Sequence, residues 1–304
     1  MLDIWTTTGR NINPTFTFDA QWPWPAEELV FDRMQYANQE KGDGLPNKPA
    51  PRSLSSIWGQ MIRLTFIKSK IHELNYRLGE LQEFDPVSRQ SIENLYAELS
   101  AWSADLPPRL HENEQNYAYF KSIGRGRSLV ALHIGFHFHA VLLLFRFLSG
   151  GLESKVSAIY TDYAERCKHH ARALSKLLWN SHSDYYLRCM WPRISHLLVI
   201  SSSVHLHTLL LEKNAVAVLE ARELLHCNFK MLTDLQSYWP NLGNAIGRLK
   251  VFHEACLSAN RPETVFQMTE WLSRFLHEHS HSVRSLATES LSSGTSALST
   301  PSER

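Results

Sequence analysis

His133 and His137 stand four residues apart, the spacing at which two imidazoles on one helical face can share a metal ion. In a helical zinc-protease motif a glutamate directly follows the first histidine and acts as general base, whereas Ile134 occupies that place here. The surrounding apolar stretch holds no carboxylate to serve as a third ligand, so both residues read as packed or hydrogen-bonded core histidines. They belong to a set of 16 histidines whose other close members form no ligand group either. His169-His170 and His205/His207 fail because adjacent helical residues point about 100° apart and i,i+2 residues do not share a face. His277, His279 and His281 fall at a predicted helix end, where solvated, positively charged side chains complement the helix dipole as caps.

Gly124-Arg125-Gly126-Arg127-Ser128 has the composition of a phosphate loop, since glycines expose backbone N–H groups at a helix start. It lacks the Gly-Lys-Ser or Gly-Lys-Thr ending and the preceding strand, which leaves a flexible lead-in with Ser128 as the cap. No Gly-x-Ser-x-Gly follows a strand. Cys167, Cys189, Cys227 and Cys256 are widely separated, without a CxxC pair, and read as free buried thiols in a reducing compartment. The nine tryptophans suit a helical core, an apolar pocket or a partner groove. The sequence therefore names no catalytic residue, no cofactor-binding residue, no metal ligand and no cofactor, and the expectation is a chain that is not an enzyme.

The elements that would position these residues are helical throughout. Ile57, Met61, Leu64, Ile67, Ile71, Leu74, Leu78 and Leu81 alternate in steps of three and four, which predicts one long amphipathic helix over 54–82. Asp85 before Pro86 predicts a capped helix whose buried face is Ile92, Leu95, Leu99 and Trp102, stopped by Leu106-Pro107-Pro108. Residues 129–148 are apolar on nearly every side and predict the central helix, ended by Gly150-Gly151. Val156, Tyr160, Tyr163, Cys167, Leu174 and Leu178 make the next stripe. A helix follows over roughly 185–212, with Pro192 as a kink or as its true start. Leu225, Phe229, Leu232, Leu235 and Trp239 define another, which Pro240 ends. Leu242, Ile246, Leu249, Phe252 and Cys256 continue in helical spacing, and a last helix spans about 263–279.

The reading is an all-α, irregular multi-helix domain of about eight or nine helices over 54–281. An irregular segment with one short helix, 27–40, precedes it over 1–53, and a disordered tail rich in Ser and Thr follows over 282–304. A chain of 304 residues buries about three quarters of its unfolded surface and needs no staples. Thirty-one Lys and Arg against 30 Asp and Glu leave a charge of +1, far from the basic excess of a module that neutralises many phosphates, so no direct specific nucleic-acid binding is expected. Met1 is followed by Asp3, Trp5 and Arg10 rather than a secretory signal. The apolar stretch 128–148 carries His133, His137, His139 and Arg146, which are costly in lipid, so no membrane is expected.

In this framework a series of local patterns is similar to one family. Trp102 followed by Leu106-Pro107-Pro108-Arg109-Leu110 comes first, then Leu132-His133-Ile134-Gly135-Phe136-His137 running into Ala140-Val141-Leu142-Leu143-Leu144-Phe145-Arg146. Cys167, His170-Ala171 and Leu177-Leu178 follow. Tyr238-Trp239-Pro240, Leu242-Gly243, Ala245 and Arg248-Leu249 close the series, and Asp3 with Thr8-Gly9-Arg10 matches its opening. Taken in order, these resemble the fungal-specific transcription-factor domain, the middle homology region of zinc-cluster regulators, in its carboxy-terminal part. The resemblance covers most of residues 1–260.

That resemblance implies a nuclear regulatory domain acting through protein partners or self-association, with any small-molecule effector unidentified. Nothing here matches the six-cysteine zinc cluster of the family, and the upstream helices of its regulatory domain have no counterpart. The expectation is a truncated form, or one that works without its own DNA contacts. The alternative is a helical protein-interaction or ligand-binding module of unrelated function. Truncation would uncover apolar stripes on helices 54–82 and 129–148 and favour self-association, unless Trp5, Phe16, Phe18, Trp22 and Trp24 fold back over them.

Overall fold

A computed structural model describes residues 56–80, 86–149, 158–258 and 270–277. The irregular segment with its short helix, the Asp85 cap, the Gly150-Gly151 stop, His279, His281 and the tail 282–304 lie outside the described residues. Those described form nine α-helices and no strand. In chain order these are α1 (Ile57–Glu80), α2 (Pro86–Ala104), α3 (Glu114–Ser122), α4 (Gly126–Leu144), α5 (Ala158–His182), α6 (Ile194–Leu211), α7 (Ala215–Tyr238), α8 (Gly243–Ser258) and α9 (Glu270–His277). Short 3₁₀ turns at Pro108–Leu110, Phe145–Ser149 and Pro240–Leu242 join them.

The apolar stripe of α1 is buried from Ile57 through Leu78, because α2, α4 and α9 all pack on that helix. At the centre lies α4, every residue of which is buried except Arg127, Ser128 and Phe136; it touches α1, α2, α3 and α5. A second all-round apolar helix, α6, packs against α5, α7 and α8. The two share one continuous core, to which α5 contributes Tyr163, Cys167, Leu174 and Leu178. The apolar stripes on α1 and α4 are thus covered by helices of this same chain, which corrects the expectation that truncation leaves them open.

Three local readings also change. Helix α3 has no counterpart in the periodicity, because Phe120 is its one fully buried side chain; polar groups hold it instead. Asn113 Oδ1 accepts from the Asn116 N–H at 2.8 Å, and the Asn116 amide donates to the carbonyls of Pro108 and His111. Helix α6 starts at Ile194, so Pro192 marks its true beginning, and residues 185–191 form a turn followed by an irregular loop. The buried face of α7 runs through Ala221, Leu224, Asn228, Met231, Leu232 and Leu235, which rotates Phe229 and Trp239 outward.

Candidate functional site: two buried histidine pairs

The side chains with most capacity for chemistry gather where the 3₁₀ turn after α2 meets α4 and α5. Trp102 at the end of α2 stacks on Phe136, and Leu106 and Leu110 are buried below it. From α4, His133 Nε2–H donates to the Leu110 carbonyl at 2.8 Å. One turn later His137 Nε2 lies 3.4 Å from Glu112 Oε2, and its Nδ1 lies 2.9 Å from His170 Nδ1 on α5. The carboxylate only accepts, so His137 donates from Nε2 and takes the Nδ1–H of His170.

Burial pushes the Glu112 carboxyl up, but the hydrogen bond from His137 and the charges of His133 and His137 outweigh it and hold the group below its ordinary value. The opposite balance holds for His133, whose basicity burial lowers more than Glu112 raises it. His170 falls to about 3 through burial, reinforced by His137, His169 and Arg166. His133 and His137 thus sit as hydrogen-bonded core residues, and the carboxylate that faces them comes from outside their helix. Sequence reasoning missed Glu112, which stands 25 residues from His137.

A second pair lies at the other end of α4. His277 on α9 was expected as a solvated cap, but it is buried, because α9 packs on α1 and carries this ring into the core. The Asn75 amide nitrogen donates to the Leu142 carbonyl at 3.0 Å and to His277 Nε2 at 3.1 Å. With Nε2 accepting, His277 donates from Nδ1 to His72 Nδ1 at 2.8 Å. Among the described residues, no carboxylate is bonded to His72, His277 or Asn75. Burial, Lys68 and Arg193 lower His72 to about 4 and lower the fully buried His139 well below its usual value. Burial, His72, Lys68, Arg193 and His139 do the same to His277. Lys68 itself is lowered to about 7 by burial and Arg193.

The chain matches no protein-family model, no curated protein and no solved structure.

A further group of polar side chains in the core is bound together. Asn228 reaches the hydroxyls of Ser175, Ser201 and Ser202 at 3.0 to 3.1 Å, and Ser175 Oγ contacts His205 Nε2 at 2.9 Å. Ser175 and Asn228 are fully buried, so this Ser–His contact ties α5, α6 and α7 together and presents no nucleophile to a substrate. Burial lowers His205 to about 3, and His207 falls to about 4 by burial, then Lys168. His169 is exposed while His170 is buried, as their angular separation requires.

Among the described residues no group of three or more His, Cys, Asp or Glu is arranged to hold a metal ion. All four cysteines are free, Cys167 and Cys189 buried and Cys227 and Cys256 partly so; burial pushes Cys189 and Cys256 up to about 12. At the Gly-Arg loop, Arg125 is the N-cap of α4 without a side-chain cap bond. Ser128 lies inside the first turn, its N–H bonded to the Arg125 carbonyl at 3.0 Å, which corrects the expected Ser128 cap. Gly124 has φ +71° and open space around it, whereas a Cβ on Gly126 would come within 2.7 Å of Leu187 Cδ2. Two helical stretches, Gly126–Leu148 and Ile194–Leu211, are long and apolar enough to cross a membrane; 89% and 78% of their apolar windows are buried by the rest of the fold.

Proposed function

We propose that this chain is the regulatory domain of a fungal-type transcription factor. The supporting observation is spatial. Trp102, Leu106, Leu110, His133, Phe136, His137, Cys167 and His170 resemble the family in sequence order, and they converge on the junction of α2, α4 and α5. Segments that resemble one domain serially and pack as one core are what a shared domain requires. In this reading the histidines and Glu112 lock that core, no reaction is catalysed, and the product works in the nucleus through protein partners. The two long apolar helices belong to a soluble core, and DNA contacts come from another module.

Two measurements test the reading. The coding sequence upstream of Met1 should carry an in-frame cluster of six closely spaced cysteines or belong to a regulator without one; an in-frame catalytic domain would contradict it. The chain alone should give no sequence-selective, zinc-dependent mobility shift on DNA at about 150 mM salt, near physiological strength. Such a shift would sink the assignment of DNA contacts elsewhere.

A further inference from the structure

The seam between α5 and α7 closes on four side chains outside the histidine pairs. Trp179 and His182 lie one turn apart on α5, and Lys230 and Asp234 lie one turn apart on α7, so each two share a helical face. The two faces meet. His182 Nε2 lies 2.9 Å from Asp234 Oδ2, and Lys230 Nζ stands 5.5 Å from the centre of the Trp179 ring. That ring lies parallel to the His182 imidazole, with 6.3 Å between their centres.

Asp234 fixes where His182 carries its hydrogen. A carboxylate only accepts, so Nε2 donates and Nδ1 of the neutral ring keeps its lone pair. Nδ1 bonds to no described residue, and it is not sealed in the interior, for the side chain is 15% exposed. Among the described residues the other histidines that face a carboxylate are His133 and His137. Both are buried, and the Leu110 carbonyl and His170 hold their remaining nitrogens.

An imidazole whose N–H is held by a carboxylate is a better nucleophile at its other nitrogen, because the acid meets the positive charge that grows on the ring during attack. His182 is also the last residue of α5, where the negative end of the helix dipole favours the same charge. Lys230 has no carboxylate partner among the described residues, so its ammonium is available to an anionic group arriving beside these rings. Nucleophile, orienting acid and cation thus stand together at a surface position.

We propose that His182 accepts a phosphoryl group at Nδ1 from a small activated donor of the phosphoramidate class. The Nδ1 lone pair forms the new N–P bond as the P–N bond of the donor breaks. The protonated nitrogen of the donor leaves as ammonia with the electron pair of that bond, and the Nε2–H stays on the ring, bonded to Asp234. The product carries about two added negative charges at the open edge of the α5–α7 seam. This inference does not rest on the transcription-factor reading.

The full chain is incubated with potassium phosphoramidate, with N-acetylhistidine in the same solution as the reference. Phosphorus NMR and peptide mass spectrometry at neutral pH follow both. His182 should be phosphorylated at least about tenfold faster than the reference, at Nδ1, and Asp234→Asn should slow it by about tenfold or more by removing the acid that orients the ring. Lys230→Gln, which leaves the His182–Asp234 bond intact, should slow it by a smaller factor. Lys250→Gln, on α8, should leave it unchanged. Reaction at His182 no faster than the reference, or attack at Nε2, overturns the proposal. So does a parental rate in both Asp234→Asn and Lys230→Gln.

Discussion

The two histidine pairs share a contact and differ in everything around it. Nδ1 faces Nδ1 at 2.9 Å between His137 and His170 and at 2.8 Å between His72 and His277. The first chain of bonds ends on Glu112, a partly exposed carboxylate that supplies a counter-charge. The second ends on the amide of Asn75 and the Leu142 carbonyl, beside Lys68 and Arg193. An added proton therefore meets an acid in one place and two cations in the other. The same pair of rings has a carboxylate within reach at one end of α4 and has Lys68 and Arg193 beside it at the other.

Acid is the largest perturbation, and it acts on both pairs. A histidine lowered in the folded state stabilises the fold fully above about pH 6.5, where the unfolded chain is also neutral. As pH falls, the unfolded state takes up protons that the folded state refuses, so stability is lost until the folded group titrates too. For His72, lowered from 6.5 to about 4, this amounts to up to about 3 kcal/mol. His170, His205 and His207 are lowered to between about 3 and 4 and act in the same direction. Their sum approaches the whole stability of a domain, about 5–15 kcal/mol. Urea unfolding at stepped pH should show stability falling steeply from pH 6.5 and exhausted before pH 4. Stability that stays flat from pH 7 to 5 would remove the comparison's premise.

Leu143→Asp comes next, because α4 carries the anchors of both pairs and Leu143 has no exposed surface. A buried unpaired charge there should cost about 4 kcal/mol or more, read as a fall in Tm. A melt within a degree or two of the parent would show that α4 is not the shared support. Asn75→Ala should follow at about 2 kcal/mol, since it leaves the Leu142 carbonyl and His277 Nε2 without their donor. Glu112→Gln should have the smallest effect, about 1 kcal/mol, because that side chain is partly open to water. Its sharper readout is an imidazole NMR titration. With the carboxylate gone, His133 should become still harder to protonate, since Glu112 is the leading influence that raises it. An unchanged His133 titration would show that the two ends of α4 are not electrostatically distinct.

The helical architecture was legible wherever a helix buries one stripe or its whole surface. The stripe from Ile57 to Leu78 and the apolar run of α4 are of that kind, and both lie where periodicity puts them. Periodicity fails where polar contacts made at a distance decide the outcome. Helix α3 is held by Asn113 and Asn116, and the face of α7 is set by Asn228 reaching three serines of α5 and α6. The histidine pairs escaped for the same reason. His72 and His277 are 205 residues apart, and only the packing of α9 on α1 brings them together. His133 and His137 could be read as core residues from their own helix, but nothing in that helix points to Glu112.

The regulatory reading is tested most directly by tethering. The full chain is fused to an unrelated sequence-specific DNA-binding domain and expressed in fungal cells, with transcription from a matching reporter measured against the DNA-binding domain alone. The account predicts that the fusion raises or lowers reporter transcription and that Leu143→Asp removes the effect. A fusion that is folded, present in the nucleus and bound at the reporter, yet leaves transcription unchanged, would contradict it.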